Sequence, residues 1–519
     1  MNAAITETRT LEVPWRALLL VGLSLSIGWG IRGNFGHEWG AALPGALAAL
    51  AVVLLSGRVD WQRRIALFGL FGALGWALGG SMSYMVVIAY THSGQSLSVA
   101  YGFACLFVIG FLWGAAGGAG TALPAFLSRE RLAQFVTPLI LIFLAWWADS
   151  LLEAHFIDAN PAFARHSPLD WYDTNWTSAL LALLVVLVRG AVRRRLGFAE
   201  RLILAMAAGW WAGFLVLTVG LGLHMTPPRS DNWAGSLGMV LAMLLFFERQ
   251  NLRGVTLAML MTGVIGGLGF ASATLFKLVE MKSGLSTNWH SILEQTYGFI
   301  NGLGIAWMMT WLQRRTPHLT DDPPAGSRLD TFAVAFLLLL LPYMNLQHMV
   351  NDWTNAKAMP EILYFLTARG WFDLFFALTA LAVLGLLAAH LRKPLPIVPA
   401  SWLGKGQMLT LGLLWVMVLG NFMKALVAFT PQRLVTEGVI YANALLCTVM
   451  VLLWARESRA PEIRPLADYA PLLRRALASG LAVLVLSTGL YWGIVRALYG
   501  DTFAGYAGSH IRFGPGAGK

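Results

Sequence analysis

Apolar stretches recur along this chain from residue 14 to residue 498, separated by short polar breaks. Crossing a hydrocarbon layer about 30 Å thick takes a helix of about 20 apolar residues. Runs such as Ala179–Val188 and Phe332–Leu341 are continuous rather than alternating, which is helical patterning and not that of barrel strands. The pattern predicts about fifteen helices, near 14–30, 40–56, 65–90, 99–127, 133–157, 176–189, 202–222, 233–247, 254–279, 292–312, 329–345, 371–390, 407–429, 437–455 and 476–498. Lipid offers the backbone no hydrogen-bond partners, so spanning helices satisfy their own. The expected fold is an all-α, polytopic integral membrane protein. The polar tail 1–13 is followed by no small-residue cleavage site, so the first apolar run reads as a retained span.

Composition agrees. Hydrophobic residues make up 57% of the 519, and charged residues 12%, about half the share usual in a soluble protein. The formal charge of +11 sits largely in alternate loops. One set holds Arg58, Arg63 and Arg64, then Arg129 and Arg131, then Arg193, Arg194 and Arg195, then Arg314 and Arg315, whereas the intervening loop Thr91–Ser98 has none. This asymmetry orients a membrane protein with its basic loops and N-terminus in the cytoplasm, here of a bacterial inner (plasma) membrane, and removes the argument for a nucleic-acid partner. An odd number of spans puts the C-terminus outside. Cys105 and Cys447 fall inside apolar runs without metal-ligand spacing and read as packing residues.

The first two-thirds of the chain carries an internal duplication. Gly28-Trp29-Gly30 answers to Gly220-Leu221-Gly222, Gly72 and Gly75 to Gly263 and Gly266, Tyr101-Gly102-Phe103 to Tyr297-Gly298-Phe299, and Trp171-Tyr172-Asp173 to Trp371-Phe372-Asp373. The units are 14–190 and 202–390, joined by a basic linker at 191–201. Each has six helices entering from the same side, a parallel repeat. A three-helix extension, 391–519, follows. In this arrangement, and in the degenerate Gly57-Arg58-Val59-Asp60-Trp61-Gln62-Arg63-Arg64 between the second and third helices, the chain resembles the major facilitator superfamily. The resemblance implies two six-helix halves that carry a small solute by alternating access.

Candidate chemistry concentrates in the first outer turn, Gly28 to Gly40, which packs Arg32, Asn34, His37 and Glu38 among five glycines between two apolar helices. Glycines let a backbone leave its helix and present carbonyls or amides to a ligand. Arg32 can clamp a carboxylate or phosphate, or simply pair with Glu38; His37 and Glu38 suit coupled protons. The counterpart turn, His224 to Trp233, places Asp231, Asn232 and Trp233 opposite His37, Glu38 and Trp39, with Arg229 between. Tyr84, after the glycines of the third helix, is a further candidate to face substrate. Ionisable residues at membrane depth are costly unless used. They include Asp149 and Glu153 one turn apart, Glu294, and Lys424 beside Asn421; these are the candidates for coupling a proton or sodium ion, with Glu294 or Asp149 as partner for Lys424.

No GxxxxGK[ST] sequence and no zinc-spaced His/Cys set is present, so no cofactor is expected. No loop approaches the about 50 residues that a separate catalytic domain needs. The sequence therefore predicts an ion-coupled secondary transporter of a small polar solute, a sugar or organic anion, with membrane lipid as its surroundings. The alternative is a membrane transferase acting on a lipid-linked substrate at the outer face, with His37 or Glu38 as base.

Overall fold

Every one of the hydropathy segments falls on a helix in the computed structural model, which describes residues 14–159, 171, 174–225, 231–320, 327–427, 429–455, 462–463, 466, 469–500 and 512–513. The tail 1–13, Arg229, and Tyr172 and Asp173 of the repeated triplet lie outside these residues. The long helices are α1 (Trp15–Arg32), α2 (Glu38–Leu55), α3 (Ile65–Ala77), α4 (Ser96–Phe126), α5 (Val136–Ala159), α6 (Trp176–Arg193), α7 (Phe198–Gly220), α8 (Asn232–Arg249), α9 (Arg253–Met281), α10 (Trp289–Gln313), α11 (Arg328–Asn355), α12 (Ala368–Arg392), α13 (Trp402–Val427), α14 (Pro431–Trp454) and α15 (Tyr469–Tyr499). The last turns of α7 and the middle of α11 widen into π-helix, at Phe214–Gly220 and Phe336–Leu340. Strand pairing among the described residues is limited to two-residue ladders, Leu223–His224 with Arg512–Phe513 and Ile362–Leu363 with Leu366–Thr367.

Eleven of these helices are long and apolar enough to cross a membrane. The other four are α1, α3, α8 and α10; α3 is apolar but has only 13 residues. The remaining three carry polar groups inward, among them Arg32, Asn232 and Glu294. The most apolar helix is exposed: α12 has the highest mean hydropathy, 2.3, and none of its apolar window is buried, whereas α2 is 83% buried. An exposed apolar surface of that extent suits hydrocarbon and not water.

The predicted third helix, 65–90, is two elements. It stops at Ala77, and in the break Gly79 and Gly80 press against Trp113 and the Glu38 backbone where any side chain would collide. A short helix, Met85–Tyr90, follows the break.

The centre is built from α1, α2, α3, α4, α9 and α10, held by direct backbone approach. Along α4 and α9, Gly110 meets Gly266 and Gly114 meets Thr262, and a methyl placed at Gly114 would lie 2.3 Å from the Thr262 carbonyl oxygen. Rising numbers on α4 meet falling numbers on α9, so the pair is antiparallel. The same holds for α1 and α10, where Gly302 sits on Gly22 and Gly298 on Ser26. Small residues permit such approach, and dispersion contacts between the backbones then hold the pair. Both seams join the two predicted six-helix units to each other. The last three helices pack on this centre: Ile440 of α14 abuts Gly30, Gly406 of α13 abuts Ile65, and Tyr491 of α15 bonds Ser272 (2.6 Å).

The arginines at the opposite end from the 28–40 turn make structural contacts of their own. Arg58 is fully buried, grips Asp60 with two nitrogens (2.9 and 2.5 Å) and donates to the carbonyls of Gln313, Thr316 and Pro317 that end α10. Arg64 likewise donates to the carbonyls of Pro124 and Leu127 ending α4, and Arg129 bonds Asp330 (2.7 Å). Unsatisfied C-terminal carbonyls are natural partners for such cations. Burial alone would raise the proton affinity of Asp60, but the Arg58 guanidinium and the Leu319 amide outweigh it and hold the carboxyl below its ordinary range. A depressed carboxyl stabilises fully above its unfolded value of about 3.9 and loses that contribution as pH falls through the folded value. The melting-temperature gap between wild type and Asp60→Asn is therefore expected to be widest at neutral pH and to narrow below about pH 4.

Candidate functional site

Arg32 ends α1 and is 4% exposed. Its Nη1 donates to Tyr84 Oη (2.5 Å) and Glu294 Oε1 (3.2 Å), its Nη2 donates to His37 Nδ1 (3.4 Å), and Tyr84 donates to the same Glu294 oxygen (2.5 Å). His290, one turn before Glu294, approaches that oxygen at 3.6 Å. The guanidinium lies over the rings of Trp29, Tyr84 and Trp113, 5.2 to 5.3 Å from each centroid. Gly33 makes room for this, since a methyl there would fall 2.5 Å from Glu294 Oε2. The sequence offered Glu38 as the partner of Arg32. The structure pairs Arg32 with Glu294 instead, because α10 runs antiparallel to α1 and brings its first turn to the end of α1.

A second polar chain starts at Asn34. Asn34 donates to Asn421 Oδ1 (2.6 Å), and Asn421 donates to Glu437 Oε2 (2.5 Å), which also accepts from Tyr441 (3.2 Å). Lys424 donates to the Asn34 carbonyl and pairs with Asp352 (2.9 Å). Asp352 takes the place that sequence reasoning gave to Glu294 or Asp149. It stands on the last turn of α11, in a polar stretch that hydropathy placed beyond the span.

A third group links the turn after α1 with the turn before α8. Asn175, the residue before α6, donates from its side chain to Glu38 Oε1 (3.0 Å) and from its backbone to Asn232 Oδ1 (3.0 Å). Asn232 in turn donates to the Ser81 carbonyl (3.1 Å). Asp231 holds His224 (2.6 Å) and the Trp233 indole (3.3 Å). Gly36 closes the first turn with φ +104°, a conformation that only glycine adopts freely. The other glycines of that turn do not unwind a helix toward a ligand; α1 runs unbroken to Arg32, and Gly28 and Gly30 admit Pro44 and Ile440.

Glu38 and Glu153 both line a cavity of about 590 Å³ bordered chiefly by α2 to α8 and partly open to the surface. Its contacts on α5 recur at Phe135, Leu139, Ile142, Trp146, Ser150 and Glu153, one stripe of a helix that extends about 27 Å at about 1.5 Å per residue. The polar members of the lining, Glu38, Ser81, Ser150, Glu153, Asn175 and two further serines, all belong to the helix ends on the side of the first outer turn. Phe135, Leu123 and Met243 line the other end. The slot is thus apolar along its length and polar at one end. Asp149 stands one turn before Glu153 on the same helix and is not among the lining residues.

Sequence reasoning missed His290, Asn175, Asp352 and Glu437. Asn175 and Asp352 lie in polar loop-like sequence with no local signal. His290 and Glu437 did carry one, an ionisable residue at the first turns of an apolar helix. Compared with family models, curated proteins and solved structures, the chain matches none.

Proposed function

We propose that this protein is a membrane-embedded transferase that acts on a lipid-linked substrate at the face opposite its arginine-rich loops. The observation that carries the reading is the slot along α5, whose apolar length and polar end match a long-chain molecule with a polar head. Its volume lies within the range of about 300–1,000 Å³ common to ligand sites. The apolar chain lies between α5, α7 and α8, and the head rests beside Glu38, Glu153 and Asn175. Glu38, steadied by Asn175, is the general base for the incoming nucleophile. His37, which the sequence also offered as a base, is engaged with Arg32.

Loss of a positioned general base costs about 10²–10⁴-fold in rate. Glu38→Gln is expected to lose turnover of lipid-linked substrates to that degree while still co-purifying a bound lipid, read by mass spectrometry of the purified protein. Ala182→Trp, which fills the slot, is expected to lose the lipid as well. Lipid absent from all three proteins would sink the proposal.

The carrier reading draws its support from the buried Arg32–Glu294 pair with His290 at its edge. Solute flux in proteoliposomes that Glu294→Gln abolishes and Ala182→Trp leaves intact would favour it. The glycine seams that lock the two units together by backbone contact support an unmoving scaffold and hence the enzyme.

A further inference from the structure

The polar end of the slot is acidic. Among the described residues, Glu38 and Glu153 are the charged ones that line it, and no described lysine, arginine or histidine does. Arg32, six positions before Glu38, is engaged elsewhere: its Nη1 and Nη2 serve Tyr84, Glu294 and His37, and its plane is covered by aromatic rings. Lys424 is likewise committed, held by Asp352 and the Asn34 carbonyl.

Charge inside an apolar slot is poorly screened, so the sign at its end selects the head strongly. A phosphate or carboxylate head would add negative charge beside two carboxylates, with no cation among the described lining residues to offset it. A protonated amine meets both with attraction and can donate three hydrogen bonds. The serines that share this end, Ser81, Ser150 and Ser178, add acceptors of the kind an ammonium group uses.

The geometry points to a long-chain amine, or a lipid whose head carries a protonated amine, as the occupant of this slot. The inference rests on the reading above that the slot holds a lipid; it adds the charge of the head. The nitrogen lies at the end where Glu38 and Glu153 stand, and the chain extends past Trp146 toward Phe135.

Four probes of equal chain length separate the possibilities: hexadecylamine, hexadecanol, hexadecyl phosphate and hexadecanoate. Each is titrated against the whole protein in neutral detergent, with bound ligand counted by native mass spectrometry and stabilisation followed by melting temperature. The amine is expected to bind at least about tenfold more tightly than the alcohol, a difference of about 1.4 kcal/mol. Glu153→Gln and Glu38→Gln are expected to reduce that preference and to leave alcohol binding in place. Ala182→Trp is expected to bind none of the four. Equal binding of all four chains, or a preference for the phosphate or carboxylate, overturns the amine assignment while leaving the slot a lipid site. An amine preference that survives in both glutamine variants overturns the placement of the head. If no chain binds, or if Ala182→Trp binds all of them as wild type does, the reading of the slot itself fails.

Discussion

Arg32→Ala is expected to destabilise the protein by about 3–5 kcal/mol, the cost of leaving a buried charge without its partner. Glu294 is 3% exposed, and without Arg32 its carboxylate keeps only Tyr84 and His290. The three rings that cover the guanidinium would also close on a void. Arg32→Lys recovers part of the loss at most, because one ammonium cannot reproduce a planar fork that reaches Tyr84, Glu294 and His37 together. The double variant Arg32→Met with Glu294→Met separates stability from function. Well-packed apolar replacements of a buried ion pair are often neutral or stabilising, so this variant is expected to melt well above Arg32→Ala. If it is stable and turns over substrate, the pair is structural. If it is stable and inactive, the cluster serves the chemistry beside it. An Arg32→Ala melting temperature equal to that of wild type would contradict the burial described for the pair.

How far the sequence reveals this arrangement depends on the range of the interaction concerned. Helices follow from the length and continuity of local apolar runs, and the segments 14–30 through 476–498 fall on them apart from the break inside 65–90. The residues of the first outer turn stand out locally too, because Arg32, His37 and Glu38 interrupt an apolar run. Their partners do not. Glu294 is 262 positions from Arg32, and Asn421 is 387 from Asn34; nothing in either neighbourhood says which acid meets which base. Asn175 illustrates the same limit, since its importance comes wholly from standing between Glu38 and Asn232. The glycines misled in an instructive way. Glycine serves both backbone freedom and close packing, and sequence alone does not separate the two. Gly36 uses the first property, with its positive φ, while Gly28 and Gly30 use the second. The slot is the least legible feature, because seven helices supply its walls through residues that look like ordinary core.

Gly114→Leu is expected to have an effect comparable to that of Arg32→Ala, and Gly114→Ala a smaller one. On α4, Gly114 faces the Thr262 carbonyl of α9, where an added methyl would sit 2.3 Å from the oxygen, and Thr262 Oγ1 donates back to the Gly114 carbonyl at 2.8 Å. The obstacle is backbone, so no rotamer change relieves it; the helices must separate. Overpacking of a close-packed interior costs about 1–3 kcal/mol, the range expected for the alanine variant, and leucine should exceed it by forcing apart neighbours such as Gly110 and Gly266. Gly385→Ala on α12 is the control. Nothing lies within 4 Å of that position, so the change adds helix propensity of about 1 kcal/mol without a clash and is expected to raise the melting temperature slightly. The comparison also bears on function. A carrier whose two units rock against each other needs a seam that opens at modest cost, whereas an enzyme with a fixed slot does not. If Gly114→Leu folds with an unchanged melting temperature, the seam yields easily and the carrier reading gains. If it melts far below wild type while Gly385→Ala does not, the two units are held as one body and the site must work without their relative motion.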